Sequence, residues 1–431
     1  MDRRLQRRYV QLVKEHMSSS TRLAAGPSLL PGQCKSAAAT QAAWRFLNNE
    51  QRVELAALVE PLRQAGRDVA AKSPSEFVLL AHDWCKIDYG SHTAKNDLRQ
   101  LTHEHDIGYD LTTALLVDAE NGAPLAPMQL HLKTADAVYS TAEQAPQLHD
   151  HHLDELEPTM NEVANWELPR RVVHIIDREG DSLGHFRRWD ELGHKFLVRC
   201  DDRRVLWEDE PWLISEIADY FDREVSFEGV GEALYHGRAV RQEMAEAEVV
   251  LHRPHKTRID GKQHDVSGRA LPMRLVVTRL LDEEGYILAQ WTLLTNVFSD
   301  EISAHRIALW YYWRWRIENF FKLLKSHGQE LEHWLQETGE AIARRLLVAA
   351  MACVVVWQLE RDDSPEAEEA KKILMRLSGR SSKRNCPYTA SGLLAGYMTL
   401  LSITDLLEHT DCDLRTLKRI AKTALPFVDS S

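Results

Sequence analysis

Apolar positions recur at helical spacing through residues 1–60, with one interruption by a Gly/Pro-rich loop at 24–34. Beyond Pro74 the pattern shortens to strands. The run ending at Asp83 predicts a first strand, and 109–118 and 124–134 predict two more, joined through Asn121-Gly122, a strong hairpin signal. An acidic, partly helical segment follows at 149–167, then a strand at 171–177, a turn and helix at 178–193, and a strand at 195–200. Alternating segments at 223–230, 247–253, 273–281 and 286–296 predict a β-rich unit interrupting this order. From Ser303 to Lys325 the spacing predicts one long helix, and beyond about 335 further helices with a break at 380–392. The 12-residue apolar run Leu346 to Trp357 is too short to span a bilayer and predicts a buried helix.

Three hairpin-type strands, a helix, a strand, a helix and a strand give an α/β order, that of a ribonuclease-H-like catalytic core. The chain then divides into an N-terminal helical domain (1–60), a first part of the core (61–202), a β-rich insertion (203–291), a last part of the core (292–335) and a C-terminal helical domain (336–431). A length of 431 residues with 44% hydrophobic and 27% charged positions excludes disordered, collagen-like and disulfide-scaffold classes. Six scattered cysteines (Cys34, Cys85, Cys200, Cys353, Cys386 and Cys412) contain no C-x-x-C pair and read as reduced, buried thiols. No apolar stretch near the N-terminus reads as a secretion signal, and a cytoplasmic protein without membrane contact is expected.

The net charge of −12 argues against a bulk nucleic-acid binder, but the charge is segregated. The first 17 residues carry five Lys/Arg against two acids, and Arg306 to Lys325 carries five against one. On a regular helix Tyr311, Arg314, Glu318, Lys322 and Lys325 fall within about an 80° arc, apart from a core face of Trp313, Ile317, Phe320, Phe321 and Leu324. That edge is either a solvated face with i,i+4 pairs or a metal-binding carboxylate beside a phosphate-binding row. Asp83 and Asp177 end two core strands, where open α/β sheets place their sites, although each could instead be a strand-end turn or cap. Asp88, Asp106, Glu179 and Asp181 are local alternatives, Asp181 reading better as the cap of the following helix. Two strand-end aspartates and a helical glutamate suit divalent-metal phosphoryl transfer, in which hard oxygen ligands hold two Mg²⁺ about 4 Å apart. The clusters His103-Glu104-His105-Asp106 and His149 to His152 lack Cys partners and helical His spacing, and read as loops.

The combination resembles a cut-and-paste DDE transposase of the insertion sequence 4 family, transposon 5 type. Tyr311, Arg314, Glu318 and Lys325 match its Tyr-x2-Arg-x3-Glu-x6-Lys signature, residues 175–181 its Asp-Arg-Glu-Ala-Asp block, 79–83 its first-aspartate strand, 39–50 the segment before its catalytic domain, and 291–295 its strand returning from the insertion. The resemblance implies Asp83, Asp177 and Glu318 as the catalytic, metal-binding triad for Mg²⁺, with Mn²⁺ as a substitute. It implies Tyr311, Arg314, Lys325 and Lys322 as phosphate contacts and Trp291 as the platform for a base flipped from the duplex, where without the family Trp291 reads as a core residue. Arg3, Arg4, Arg7 and Arg8 become candidate DNA contacts, against the alternative of a charged helix face. The implied partners are double-stranded DNA (the inverted-repeat ends and the target) and a second copy in a homodimer, paired through the C-terminal helices with their basic clusters at 380–384 and 415–422. The implied location is the bacterial nucleoid.

Family members usually carry a further stretch before the segment matched by Asp2 to Tyr9. This keeps a second reading open, an N-terminally shortened, non-catalytic regulator that dimerises with active transposase. A general metal-dependent nuclease is a third.

Overall fold

The computed structural model describes residues 1–18, 36–235, 238–259, 262–325, 328–379, 388–409, 413–416 and 419. Cys34, Cys386 and Cys412, the loop at 24–34 and the basic cluster at 380–384 lie outside the described residues, as does most of 415–422.

Helices α1 (Arg3–Ser18), α2 (Ser36–Leu47) and α3 (Leu55–Ala70) lead into β1 (Phe77–Asp88). Then come β2 (Arg99–Gln100), β3 (Ile107–Asp118), β4 (Pro124–Lys133), β5 (Val138–Ser140), α4 (Leu156–Glu162), β6 (Arg171–Ile176), α5 (Leu183–Glu191) and β7 (Lys195–Arg199). In space these strands lie in the order β4-β3-β1-β6-β7, antiparallel through the first three and parallel from β1 to β7.

The next stretch holds β8 (Arg204–Trp207), β9 (Glu210–Leu213), α6 (Ile214–Glu224), β10 (Glu228–Tyr235), β11 (Arg238–Leu251), β12 (His255–Ile259), β13 (Lys262–Val266), β14 (Leu271–Leu281) and β15 (Ile287–Thr295). Most of these strands extend the sheet already built. Leu293 to Thr295 of β15 pair with Leu197 to Arg199 of β7, and the order continues through β14, β11, β8 and β9. Only β12 and β13 form a separate ribbon among the described strands.

The expected long helix is two: α7 (Ala304–Trp313) and α8 (Arg316–Lys325), parted at Arg314 and Trp315. There the backbone tightens to three-residue turns, with Arg314 N–H donating to the Tyr311 carbonyl (3.1 Å) and Ile317 N–H to that of Arg314 (3.1 Å). Helices α9 (Gly339–Arg361), α10 (Pro365–Leu377) and α11 (Ala390–His409) follow. The run Leu346 to Trp357 lies within α9, whose most apolar window is 78% buried inside the protein.

Two apolar layers cover the sheet. Residues of α1, α3, α7, α8 and α9 pack on one side, and those of α4, α5 and α6 on the other, around Phe186, Trp189 and Phe196. Buried Arg344 fastens α9 to the N-terminal helices, donating to the carbonyls of Leu47 (3.0 Å) and Val53 (2.8 Å).

Candidate active site

Asp83 is not at the end of its strand. β1 runs on to Asp88 against β3, but its pairing with β6 stops at Ala81↔Ile175. The sheet opens beside Asp83 on that edge, which frees its side chain toward Asp177, the residue following β6. Asp177 caps the turn Arg178–Gly180, accepting from the Arg178 N–H at 2.7 Å. The capping reading and the site reading thus apply to the same carboxylate. Glu318 stands on the first turn of α8.

All three carboxylates converge on Arg314. Its Nη1 lies 3.1 Å from Asp83 Oδ2, and its Nη2 lies 3.0 Å from both Asp177 Oδ2 and Glu318 Oε1. The helix break turns this side chain into the site, where only 4% of it is exposed, against 20%, 34% and 40% for the three acids. Asp83 Oδ1 accepts from the Trp84 N–H (2.9 Å), and Asp177 Oδ1 from the Tyr311 hydroxyl (2.9 Å), while Arg199 approaches it to 3.9 Å. Arg199, the last residue of β7, belongs to none of the motifs above, and its one signal in the sequence is a cation at the end of a core strand.

Burial pushes the Asp83 carboxyl up to about 6, with Arg314 opposing. Burial also pushes Asp177 up, but Arg314, the Arg178 N–H, the Tyr311 hydroxyl and Arg199 outweigh it and hold this carboxyl below the ordinary range. Burial works against the Arg314 charge, which Asp177, Tyr311, Asp83 and Glu318 more than restore. Tyr311, pushed up by burial, stays a neutral donor to Asp177.

The remaining candidates separate. Lys322 is exposed one turn beyond Glu318. Lys325 instead holds the Lys86 carbonyl (2.7 Å) and Glu332 (2.8 Å), and Glu332 also accepts from the Asp88 N–H (3.1 Å). Trp291 is 6% exposed, packed 5.6 Å from both Tyr311 and Trp315, so in this conformation it offers no free face. On α1, Arg3, Arg4 and Arg7 face solvent, whereas Arg8 turns to Glu15 (3.6 Å).

One expectation needs correction and another refinement. Asp181 does not cap α5, whose cap position is Ser182. It accepts from the Asp201 N–H (2.7 Å) and pairs with Arg203 (2.5 Å). His152 does lie in a turn, but its ring is only partly exposed. It pairs with Asp110 (2.7 Å) and lies 4.4 Å from the Trp84 ring. Cys85, Cys200 and Cys353 are free thiols.

Residues 102–355 match the transposase DDE domain family, over half of the chain, and residues 1–52 match the transposase DNA-binding family. The chain belongs to the DDE transposases. Asp177 and Glu318 of this transposase lie within the matched DDE segment and Asp83 ahead of it, while α1 and α2 lie within the DNA-binding match. No curated protein matches the chain. The family implies a ribonuclease-H-like fold, binding to DNA, and DNA cleavage and strand transfer with a divalent metal.

The donor chemistry of the site suits such an ion. Three hard carboxylates surround one guanidinium, leaving a local charge of about −2 that hard cations offset. As they stand, no three acid, His or Cys donors among the described residues are grouped to hold an ion, and one oxygen of each carboxylate is taken by the Arg314 guanidinium.

Proposed function

We propose that this transposase carries out cut-and-paste transposition in the manner of the insertion sequence 4 family, transposon 5 type. The observation that carries the reading is the convergence of Asp83, Asp177 and Glu318, from three separate elements, on one point where β1 and β6 part in the middle of the sheet. These three residues would hold Mg²⁺, or Mn²⁺ in its place. When bound, such ions activate the attacking hydroxyl and stabilise the leaving oxygen in phosphoryl transfer.

The protein's own groups supply placement and charge. Tyr311 orients Asp177 through its hydroxyl, and the Trp84 and Arg178 amides orient the two aspartates. Lys322, exposed on the surface of α8, is placed for a backbone phosphate, and Lys325 reaches one by exchanging Glu332 for it. Trp291 would receive a flipped base after its packing against Trp315 opens. Arg3, Arg4 and Arg7 on α1 would grip the duplex, with Arg8 bracing the helix from within.

The reaction follows in four steps. Water cleaves one strand at the element end, the freed 3′-hydroxyl attacks the opposite strand to close a hairpin, water reopens it, and the 3′-hydroxyl joins target DNA. Two copies would act on two ends, in the nucleoid of a bacterial cell.

The test is a cleavage assay with Mg²⁺ on a plasmid carrying the DNA that flanks this gene on both sides. Glu318→Ala should abolish cleavage and leave DNA binding intact. Hairpin-ended breaks from the unaltered protein alone would establish the reaction. Cleavage persisting in the variant would remove Glu318 from the triad, and binding without any cutting would favour the non-catalytic regulator.

A further inference from the structure

A guanidinium kept only for DNA would face outward, as Lys322 does. Arg314 is instead 4% exposed and spends both terminal nitrogens on three carboxylates of different elements. In that position it does what a cation does for the triad: it cancels part of the repulsion among three negative charges and fixes their spacing. Two features nevertheless leave it able to change partners. It lies at the break between α7 and α8, where single three-residue turns replace the regular helical ladder. Its Nε, moreover, is buried without a partner, so one donor of the fork remains unspent.

We propose that Arg314 is a positioning residue that preassembles the triad, and that a divalent cation must displace its guanidinium to gain the shared oxygens, which makes cation and DNA binding reinforce each other. The inference rests on the triad reading above.

Three oxygens have to change partners: Asp83 Oδ2, Asp177 Oδ2 and Glu318 Oε1. With three carboxylates and one divalent ion the local charge is already about −1, and a second ion makes it positive. The guanidinium then loses its attraction to the site and needs another anion. A phosphate of the DNA end is that anion, and it can take the Nη pair together with the unspent Nε. Run in reverse, a phosphate that engages Arg314 releases the three oxygens. Linkage requires the two effects to be equal: whatever factor DNA adds to cation affinity, the cation adds to DNA affinity.

Equilibrium uptake of Mn²⁺ by the full chain, read from the electron-spin-resonance signal of the free ion, tests this without turnover. In the absence of DNA, Arg314→Gln should take up Mn²⁺ roughly tenfold more tightly than the unaltered protein, the usual size of a coupling between sites. In the unaltered protein, a duplex containing the flanking DNA should tighten Mn²⁺ by a similar factor, and in Arg314→Gln that factor should fall to about one. Glu318→Gln with the same duplex subtracts Mn²⁺ held by DNA alone.

Equal or weaker uptake by Arg314→Gln, with uptake still dependent on Glu318, would overturn the displacement. An unaltered protein whose Mn²⁺ affinity ignores DNA would overturn the coupling. Uptake insensitive to Glu318→Gln would instead overturn the triad itself, and the inference with it. If Arg314→Gln fails to fold, Arg314→Lys keeps the charge but cannot span three carboxylates, and should shift affinity the same way by less. The DNA effect on the unaltered protein needs no variant at all.

Discussion

Trp291 carries two demands that pull apart. Its indole is 6% exposed between Tyr311 and Trp315, so it contributes to the apolar layer under the site, while a base-stacking role needs one face cleared. Trp291→Ala therefore cannot separate the two roles, because truncating a buried Trp costs about 3–5 kcal/mol by itself. Trp291→Phe retains most of the packing. If the indole receives a base, that variant should slow hairpin closure more than first-strand nicking on a labelled element end, since stacking on a base is worth about 1–3 kcal/mol. Equal slowing of both steps would return Trp291 to the core. The same residue marks a limit of reading sequence. A Trp on a strand near the site fits both roles, and only the neighbours Tyr311 and Trp315, 20 or more positions away, reveal which face is covered.

At the scale of elements, local chemistry made some features legible and hid others. The β3–β4 hairpin follows from Asn121-Gly122 and the alternating runs on either side, and Gly122 has the positive φ of 70° that such a turn demands. What lies against the turn could not be read. A Cβ at Gly122 would sit 2.4 Å from the Trp313 ring, and the Gly122 carbonyl accepts from Arg316 Nε (2.8 Å), so the hairpin tip wedges into the α7–α8 junction. Gly122→Ala should thus lose more than the roughly 1–2 kcal/mol of the left-handed backbone alone. Urea unfolding measures it, and a loss under about 1 kcal/mol would mean that the turn relaxes away from Trp313.

The break between α7 and α8 was hidden for a related reason. Residues 303–325 have unbroken helical spacing, and nothing local marks Arg314 as an interruption. The signal is three acids, two of them more than 130 positions upstream. Asp83 and Asp177 were readable as carboxylates near strand ends, because apolar runs stop there. That β1 continues past Asp83 was not, because its extension is decided by pairing with β3.

Across the whole molecule, the question is how the segment matching the DNA-binding family is fixed to the segment that carries the acids. One answer is a buried polar junction. His16 of α1 pairs with Gln329 (2.7 Å), just beyond α8, and accepts from Arg345 Nε of α9 (3.3 Å). Arg345 lies over the Trp334 ring at 4.1 Å and donates to Gln336 (2.8 Å). Burial, then the charge of Arg345, holds His16 down to about 3, with the Gln329 bond opposing. A neutral His16 is therefore a condition of docking, since its protonated form would set two cations in contact inside the protein.

The sign follows from linkage. Below an ordinary histidine value near 6.5 the unfolded chain binds a proton that the folded chain refuses until about 3, so the stability contributed by neutral His16 is complete above about 6.5 and drains away as pH falls toward 3. His131, buried in β4 and likewise held down to about 3, adds a slope of the same sign. His16→Gln keeps an amide in place of the ring and cannot be protonated. Urea midpoints taken at about pH 7.5 and about pH 5 should converge more closely for this variant than for the unaltered protein, which loses the extra increment over that interval. The acid-induced losses that remain in both belong to His131 and the other titrating groups. Equal shifts in the two proteins would mean that His16 is already free to take up a proton, and that α1 is held to the core by its apolar face alone.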